Sequence, residues 1–485
     1  CSVIVNLGVS LSDSRYEMIG YEGGLKLINF FAVHNIDFNK AWKAKQSGWH
    51  DQTRAIFANA EIGWKSMIYL TATGRNDWDS RLAFSDYKSF FYPSIGLSAI
   101  LTSMFNAPDW LTYLKVRGSY TEVGNSYGRF MTTVTYPYDE QTQSWTSTSS
   151  YPNTKLKPER TKSWEVGLDA RILNDISLNL TYYRSNTYNQ TFYADLSLSS
   201  GYSNIPIQSG NIMNEGLEMS LGYNKQWKDF SFNTNYTLTW NKNRVKRLAD
   251  GVYNYATGQP IQMPELSPLT YGHTDARLIL RVGGSMGDVY GQRLLKRDLN
   301  GYILNEEGVG LAMENKETYL GSILPKMNMG WSLGFGYKGV NLGMTFTGRF
   351  GGIVISETQS VLDAAGVSKV SADVRDAGGV QINQSKVSAQ TYYQTIQGTA
   401  AYYTYSATNV RLGELSLSYT LPKKWFDNKV GMTVGLVGKN LWMIYCKAPF
   451  DPELTTSAAS NFYQGFDAYM LPSTRNFGFN VKFQF

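Results

Sequence analysis

The chain ends on Phe477, Phe479, Val481, Phe483 and Phe485, interleaved with Gly478, Asn480, Lys482 and Gln484. Successive side chains of a strand point to opposite faces, so this alternation predicts one apolar and one polar face. The same pattern recurs upstream. Phe230, Phe232, Tyr236, Leu238 and Trp240 alternate with Ser231, Asn233, Asn235, Thr237, Thr239 and Asn241, and Ile176, Leu178, Leu180 and Tyr182 with Ser177, Asn179 and Thr181. Strands of soluble sandwiches are usually about 5–6 residues long. These runs reach ten or more, the length a tilted strand needs to cross a bilayer. The pattern predicts a transmembrane antiparallel β-barrel, an all-β fold.

About fourteen strands are expected, near residues 1–12, 52–62, 66–76, 92–102, 113–123, 162–171, 175–188, 211–224, 229–243, 326–337, 339–350, 405–421, 429–443 and 474–485. Tight links such as 171–175, 225–228 and 337–339 alternate with long excursions near 13–51, 124–161, 189–210, 244–325, 351–404 and 444–473. Outer-membrane barrels have short periplasmic turns and long extracellular loops, so the short links are assigned to the periplasm. The span from Phe230 to Trp240 covers about 33 Å along a strand and, tilted near 45°, about 25 Å of height, matching the apolar band. Trp164, Trp227, Trp240, Trp331, Trp425 and Trp442 fall near expected strand ends, as an interfacial aromatic girdle would. Glu165, Asp169, Glu218, Asn233 and Asn341 fall on the opposite face and require a polar lumen, because burying them unpaired in hydrocarbon is costly.

Composition narrows the reading. Aromatic residues make up 14%, including 34 Tyr, and charged residues only 17%, too few for a charge-covered soluble surface. The longest apolar run, residues 441–446, is far short of a helical membrane span. A net charge of +6 without a Lys/Arg block argues against nucleic acid as a partner. Cys1 and Cys446 would close nearly the whole chain if bridged, so no disulfide is expected. Val3, Val5, Leu7, Val9 and Leu11 already alternate, so the chain opens inside a strand rather than on a signal peptide or the polar tether of a lipoprotein. The expectation is the C-terminal part of a longer protein.

Several strings carry a family resemblance. Leu156-Lys157-Pro158-Glu159-Arg160-Thr161, continuing to Glu165-Val166-Gly167-Leu168-Asp169, resembles the L-x-P-E-x-T-x-x-x-E-x-G-x-D stretch of SusC-like (SusC/RagA) TonB-dependent transporters of Bacteroidetes outer membranes. Residues 211–218, with Asn214, Gly216 and Glu218, resemble that family's N-x-G-x-E stretch, and 91–96 its F-P-S-x-G segment. Asn409-Val410-Arg411-Leu412 through Pro422, then Gly438 to Leu441 with Asp451-Pro452-Glu453, and finally residues 471–475, resemble its closing motifs in order. The resemblance runs from about residue 50 to the end.

The resemblance implies a 22-stranded barrel, of which this chain supplies about the last 14 strands, its long loops near 13–51, 124–161, 244–325, 351–404 and 444–473 being extracellular. The plug, the TonB-contacting segment and the first strands would lie outside this chain. The implied activity is TonB-dependent import of a glycan or oligosaccharide, with a SusD-like surface lipoprotein as lid and membrane lipid around the wall. Import of oligopeptides is the alternative within the class; a passive porin or structural barrel, or a soluble glycan-binding β-protein, would be a different class. No covalent chemistry or cofactor is expected: His34, His50 and His273 show no metal spacing, no Gly-x-Ser-x-Gly elbow occurs, and Asn300-Gly301 reads as a hairpin turn. Ligand contacts are expected from aromatic and amide-rich loop positions: Asn76, Asp77, Trp78 and Asp79; Trp145; Tyr253 and Tyr255; Tyr402, Tyr403 and Tyr405. Aromatic faces can stack on sugar rings there, while Asp and Asn meet hydroxyls.

Overall fold

A computed structural model describes residues 1–485 except 140–143, 254–257, 264, 307–309, 428, 455 and 458–462. One 14-stranded antiparallel sheet runs through the chain in sequence order. Its strands are β1 (Ser2–Gly23), β2 (Trp42–Trp64), β3 (Ile68–Asp79), β4 (Phe90–Ile100), β5 (Leu111–Asn125), β6 (Glu159–Ile172) and β7 (Ile176–Asp195). They continue with β8 (Asn204–Trp227), β9 (Phe230–Arg247), β10 (Met327–Tyr337), β11 (Val340–Phe350), β12 (Asn409–Leu421), β13 (Gly431–Cys446) and β14 (Asn476–Gln484). Every neighbour in space is a neighbour in sequence, the up-and-down order that short turns and long loops produce. Among the described residues β1 pairs only with β2 and β14 only with β13, so both are free edges of this sheet.

The register assigns the faces. Leu180, Met219, Leu238 and Met329 stand in one row, as do Tyr182, Leu217 and Trp240, and these face outward. Glu165, Asp169, Glu218, Asn233 and Asn341 all lie on the other, lumenal face, as the alternation predicts. Trp331 departs from its expected place near a strand end. It sits in the middle of β10, opposite Tyr236 and Phe346, and its indole donates to Thr234 at 2.9 Å, which satisfies its N–H inside the apolar band.

Several strands outrun the alternation. β1 and β2 stay paired from Ser2↔Gly63 to Gly23↔Trp42, so the expected excursion over 13–51 shrinks to residues 24–41. Above the membrane both faces of a hairpin meet water, so the apolar–polar rhythm lapses while the backbone ladder continues. Cross-strand pairs take over there, including His50 on Asp13 at 3.0 Å and Tyr16 stacked on Trp49. The expected excursion over 189–210 contracts in the same way to residues 196–203.

The remaining long loops fold into a body at the same end of the sheet. Tyr271, Leu278, Leu280, Val289, Ile323, Ile355 and Phe466, drawn from three loops, form a core closed below by Ile212, Val245 and Leu248 of β8, β9 and the residue after it. Three short helices, α1 (Glu357–Ala364), α2 (Lys369–Asp376) and α3 (Ala389–Ile396), stand where only loop was expected. Ser356, Ser368 and Ser388 cap them, each accepting from the backbone N–H three residues on. Cys1 and Cys446 are free thiols.

Candidate functional site

The lumenal wall is built by side chains that lie flat across glycines. Arg117, Gly167 and Thr181 occupy one row across β5, β6 and β7. The Arg117 guanidinium crosses Gly167, donating to Thr181 Oγ1 at 2.6 Å and to Asp169 Oδ2 at 2.6 Å. A Cβ on Gly167 would stand 2.7 Å from the guanidinium carbon, so only glycine leaves the crossing open. Asn179 also donates to Asp169. Two strands further on, Tyr183, Gly216 and Asn241 repeat the arrangement, and the Tyr183 hydroxyl reaches Asn241 Oδ1 at 3.0 Å over Gly216. Next to it Asn243 donates to Asn214 at 2.9 Å. The glycine and acidic or amide positions of the two motifs therefore fall on one polar wall.

A third pair of motifs closes in a single contact. Arg411, at the upper end of β12, holds Asp451 in a two-pronged pair at 2.7 and 2.9 Å and reaches Glu453 at 3.2 Å. Asn409 donates to Glu453 at 3.1 Å and accepts from Arg411. The Arg411 and Asp451 side chains are only 11% and 8% exposed, a geometry suited to the planar guanidinium fork. Burial pushes the Asp451 carboxyl up, but Arg411 and the Glu453 backbone outweigh it and hold it below the usual aspartate range.

The four consecutive residues 76–79 do not act as one group. Strand alternation puts Asn76 and Trp78 on the outer face, beside Leu7, Val9, Ile56 and Phe91. Asp77 and Asp79 turn inward and are buried. Asp77 accepts from Arg75 at 2.7 Å and from the Tyr92 hydroxyl at 2.6 Å; Asp79 accepts from Arg81 at 2.6 Å and Ser126 at 2.7 Å. Their oxygens are committed to neighbours, so Asp77 and Asp79 brace the wall in this structure.

Among the aromatic candidates, Trp145 is 71% exposed and edge-packed on Tyr138. Tyr253 ends the short strand Ala249–Tyr253, and Tyr255 lies outside the described residues. Tyr402 accepts from the Leu295 backbone at 3.1 Å, and Tyr405 packs edge-on against Phe450. Tyr403 is 2% exposed in a cluster with Leu295, Leu311, Tyr393 and Ile396, which leaves no ring face for a ligand. Burial pushes Tyr403 upward and Tyr405 up to about 12, so both phenols are held neutral.

A cleft of about 670 Å³ opens between the upper ends of β6 and β7 and the loop after β9. Glu159, Gln190, Tyr193, Asp195 and Glu265 line it with Phe192 and Leu266. Among the described residues, none of the positions expected from the sequence reaches it. The β7–β8 hairpin takes positive φ at Asn189 and Gly210, between the pairs Tyr188↔Asn211 and Gln190↔Ser209, and just beyond that point the Thr191 N–H donates to Glu159 at 3.4 Å.

A wall apolar and aromatic outside, polar within, with short turns at one end and folded loops at the other, defines an outer-membrane β-barrel. Residues 15–441 match the family described as TonB dependent receptor-like, beta-barrel, and the chain belongs to it. It is similar to TonB-dependent receptor P3 of Formosa agariphila, 24% identical over 518 residues that cover 98% of this chain and 50% of that protein. SusC of Bacteroides thetaiotaomicron is 25% identical over 243 residues, covering 49% of this chain and 22% of SusC. The RagAB peptide importer in its open-open state superposes with a TM-score of 0.75 at 19% identity, over 100% of this chain and 52% of the solved one. The chain spans about half the length of P3, the first of these relatives. Its place is the outer membrane.

Proposed function

We propose that this chain is the C-terminal wall and loop cap of a SusC-like TonB-dependent importer, whose cargo is a glycan or oligosaccharide. The observation that carries the substrate class is the cleft at the cap. It offers the Tyr193 ring, 47% exposed, beside the Gln190 amide and the carboxylates of Glu159 and Asp195, with Glu265 held by Arg281 at 2.6 Å along its edge. An aromatic face with several hydrogen-bond acceptors suits a neutral, hydroxyl-rich ligand. Two free sheet edges, together with relatives of about twice the length, support closure of the barrel by further strands. A plug and a TonB-contacting segment would belong to that same remainder, and a SusD-like lipoprotein would cover the loop cap. The long apolar strand faces and this cap favour active import over a soluble glycan-binding role.

Peptide import is the second reading, and the fold likeness to the RagAB peptide importer motivates it. Uptake of labelled oligosaccharides and of labelled oligopeptides by cells with and without the gene decides between them. Loss of oligosaccharide uptake alone supports the proposal; loss of peptide uptake alone transfers it to peptides. Uptake that continues when the proton gradient is collapsed would identify a passive pore. Tyr193→Ala should lower oligosaccharide uptake at limiting concentration.

A further inference from the structure

We propose that the upper outer face of β6 to β9 binds the phosphorylated head group of an outer-leaflet lipid. Along β9 the outward positions after Trp240 are Lys242, Arg244 and Lys246, all exposed. β6 carries Lys162 and Arg160 above Trp164, and β7 places Arg184 directly opposite Trp164. The rows Trp164–Arg184–Glu215–Lys242 and Glu122–Lys162 bring these cations onto one surface.

Two carboxylates stand among them, and both are recessed. Glu122 is 12% exposed beneath Arg160 and Lys162, at 3.1 and 3.3 Å, which are 39% and 44% exposed. Glu215 is 19% exposed, with Lys242 at 3.6 Å and 49% exposed. The acids thus neutralise part of the charge from below while the cationic ends face out. Among the described residues no carboxylate lies within ion-pair distance of Arg184, Arg244 or Lys246, so the surface keeps a positive excess.

Height selects the ligand. At about 3.3 Å per residue and a tilt near 45°, Lys242 and Arg244 stand about 5 and 9 Å above Trp240. The head-group layer beyond the hydrocarbon is roughly 5–8 Å thick on each side, so these cations sit at phosphate level. Long basic side chains at this depth extend their charged ends to the interface, and clustered Lys and Arg there attract anionic lipid. The sector is local. The uppermost outward positions of β10, β11, β13 and β14 are instead Met327, Phe350, Tyr445 and Phe477, so basic strand tops are not a general property of this wall.

The test is native mass spectrometry of the intact protein in mild detergent with diphosphorylated lipid A. Wild type should retain lipid A at concentrations at least tenfold lower than a K162Q/K242Q/R244Q variant. A K338Q/K424Q variant, altered in the short turns at the opposite end, should match wild type. Equal retention by the K162Q/K242Q/R244Q variant, or an equal loss in the K338Q/K424Q control, would overturn the proposal. Equal binding of dephosphorylated lipid A by wild type would overturn it without reference to any variant.

Discussion

Arg117 reaches Thr181 by lying across Gly167, the residue that stands between them in the register. A lumenal wall made of long side chains alone would crowd, while one made of glycine alone would leave donors and acceptors unpaired. Placing glycine under the crossing lets one guanidinium tie three strands. It also gives the Asp169 carboxyl hydrogen-bond partners on the lumenal face, away from hydrocarbon.

Gly216→Ala should destabilise the barrel more than Gly167→Ala. At Gly167 the obstacle is a side-chain tip, which can swing away at the cost of its two hydrogen bonds. At Gly216 a Cβ would stand 2.5 Å from the Trp240 carbonyl oxygen, part of the sheet backbone. Overpacking of this kind costs about 1–3 kcal/mol. The temperature at which the heat-modifiable band shifts on a gel should fall in both variants, and further for Gly216→Ala.

Arg411→Ala should release residues 447–475 from the wall. Removing one partner of a buried pair strands the other and costs about 3–5 kcal/mol. Hydrogen exchange should accelerate around Asp451 and leave the β6–β7 hairpin unchanged. Arg411→Lys should recover only part of the loss, because an ammonium cannot make both prongs to Asp451.

The loop cap should weaken at both pH extremes. Tyr405 is pushed up to about 12, mainly by burial. A raised phenol stabilises the fold fully below the unfolded value of 10.0 and loses that contribution as pH climbs through the folded one. Asp451 is shifted the other way, so its contribution is present above 3.8 and fades as pH falls through its lowered value. Tyrosinate absorbance should therefore show a buried class that ionises late, together with cap opening. If all tyrosines titrated as one class near 10, the buried-phenol account would fail.

Trp78 should behave as a membrane residue and Trp145 as a surface one. In single-tryptophan variants, lipid-borne quenchers should reach Trp78 and aqueous iodide should reach Trp145. The reverse pattern would contradict the face assignment of β3.

Alternation along the chain already determines that this is a membrane wall, how many strands it has here and which side of each strand meets lipid. The reason is local: with period two, each residue's face follows from its neighbours, and hydrocarbon tolerates no exception that is not paired. Even the places of Gly167, Asp169, Arg411 and Asp451 could be marked as motif positions. That Arg117 lies on Gly167, or Arg411 on Asp451, was decided only by register and loop closure, which join residues far apart in sequence. The split of Asn76 and Trp78 from Asp77 and Asp79 was legible in principle, since alternation dictates it. The burial of Tyr403 was not, because a loop core has no period and its hydrophobic positions become visible only when two loops meet. The cleft around Tyr193 likewise depends on tertiary structure, the upper part of the β7–β8 hairpin, beyond the positive-φ residues Asn189 and Gly210, meeting the loop that begins after β9.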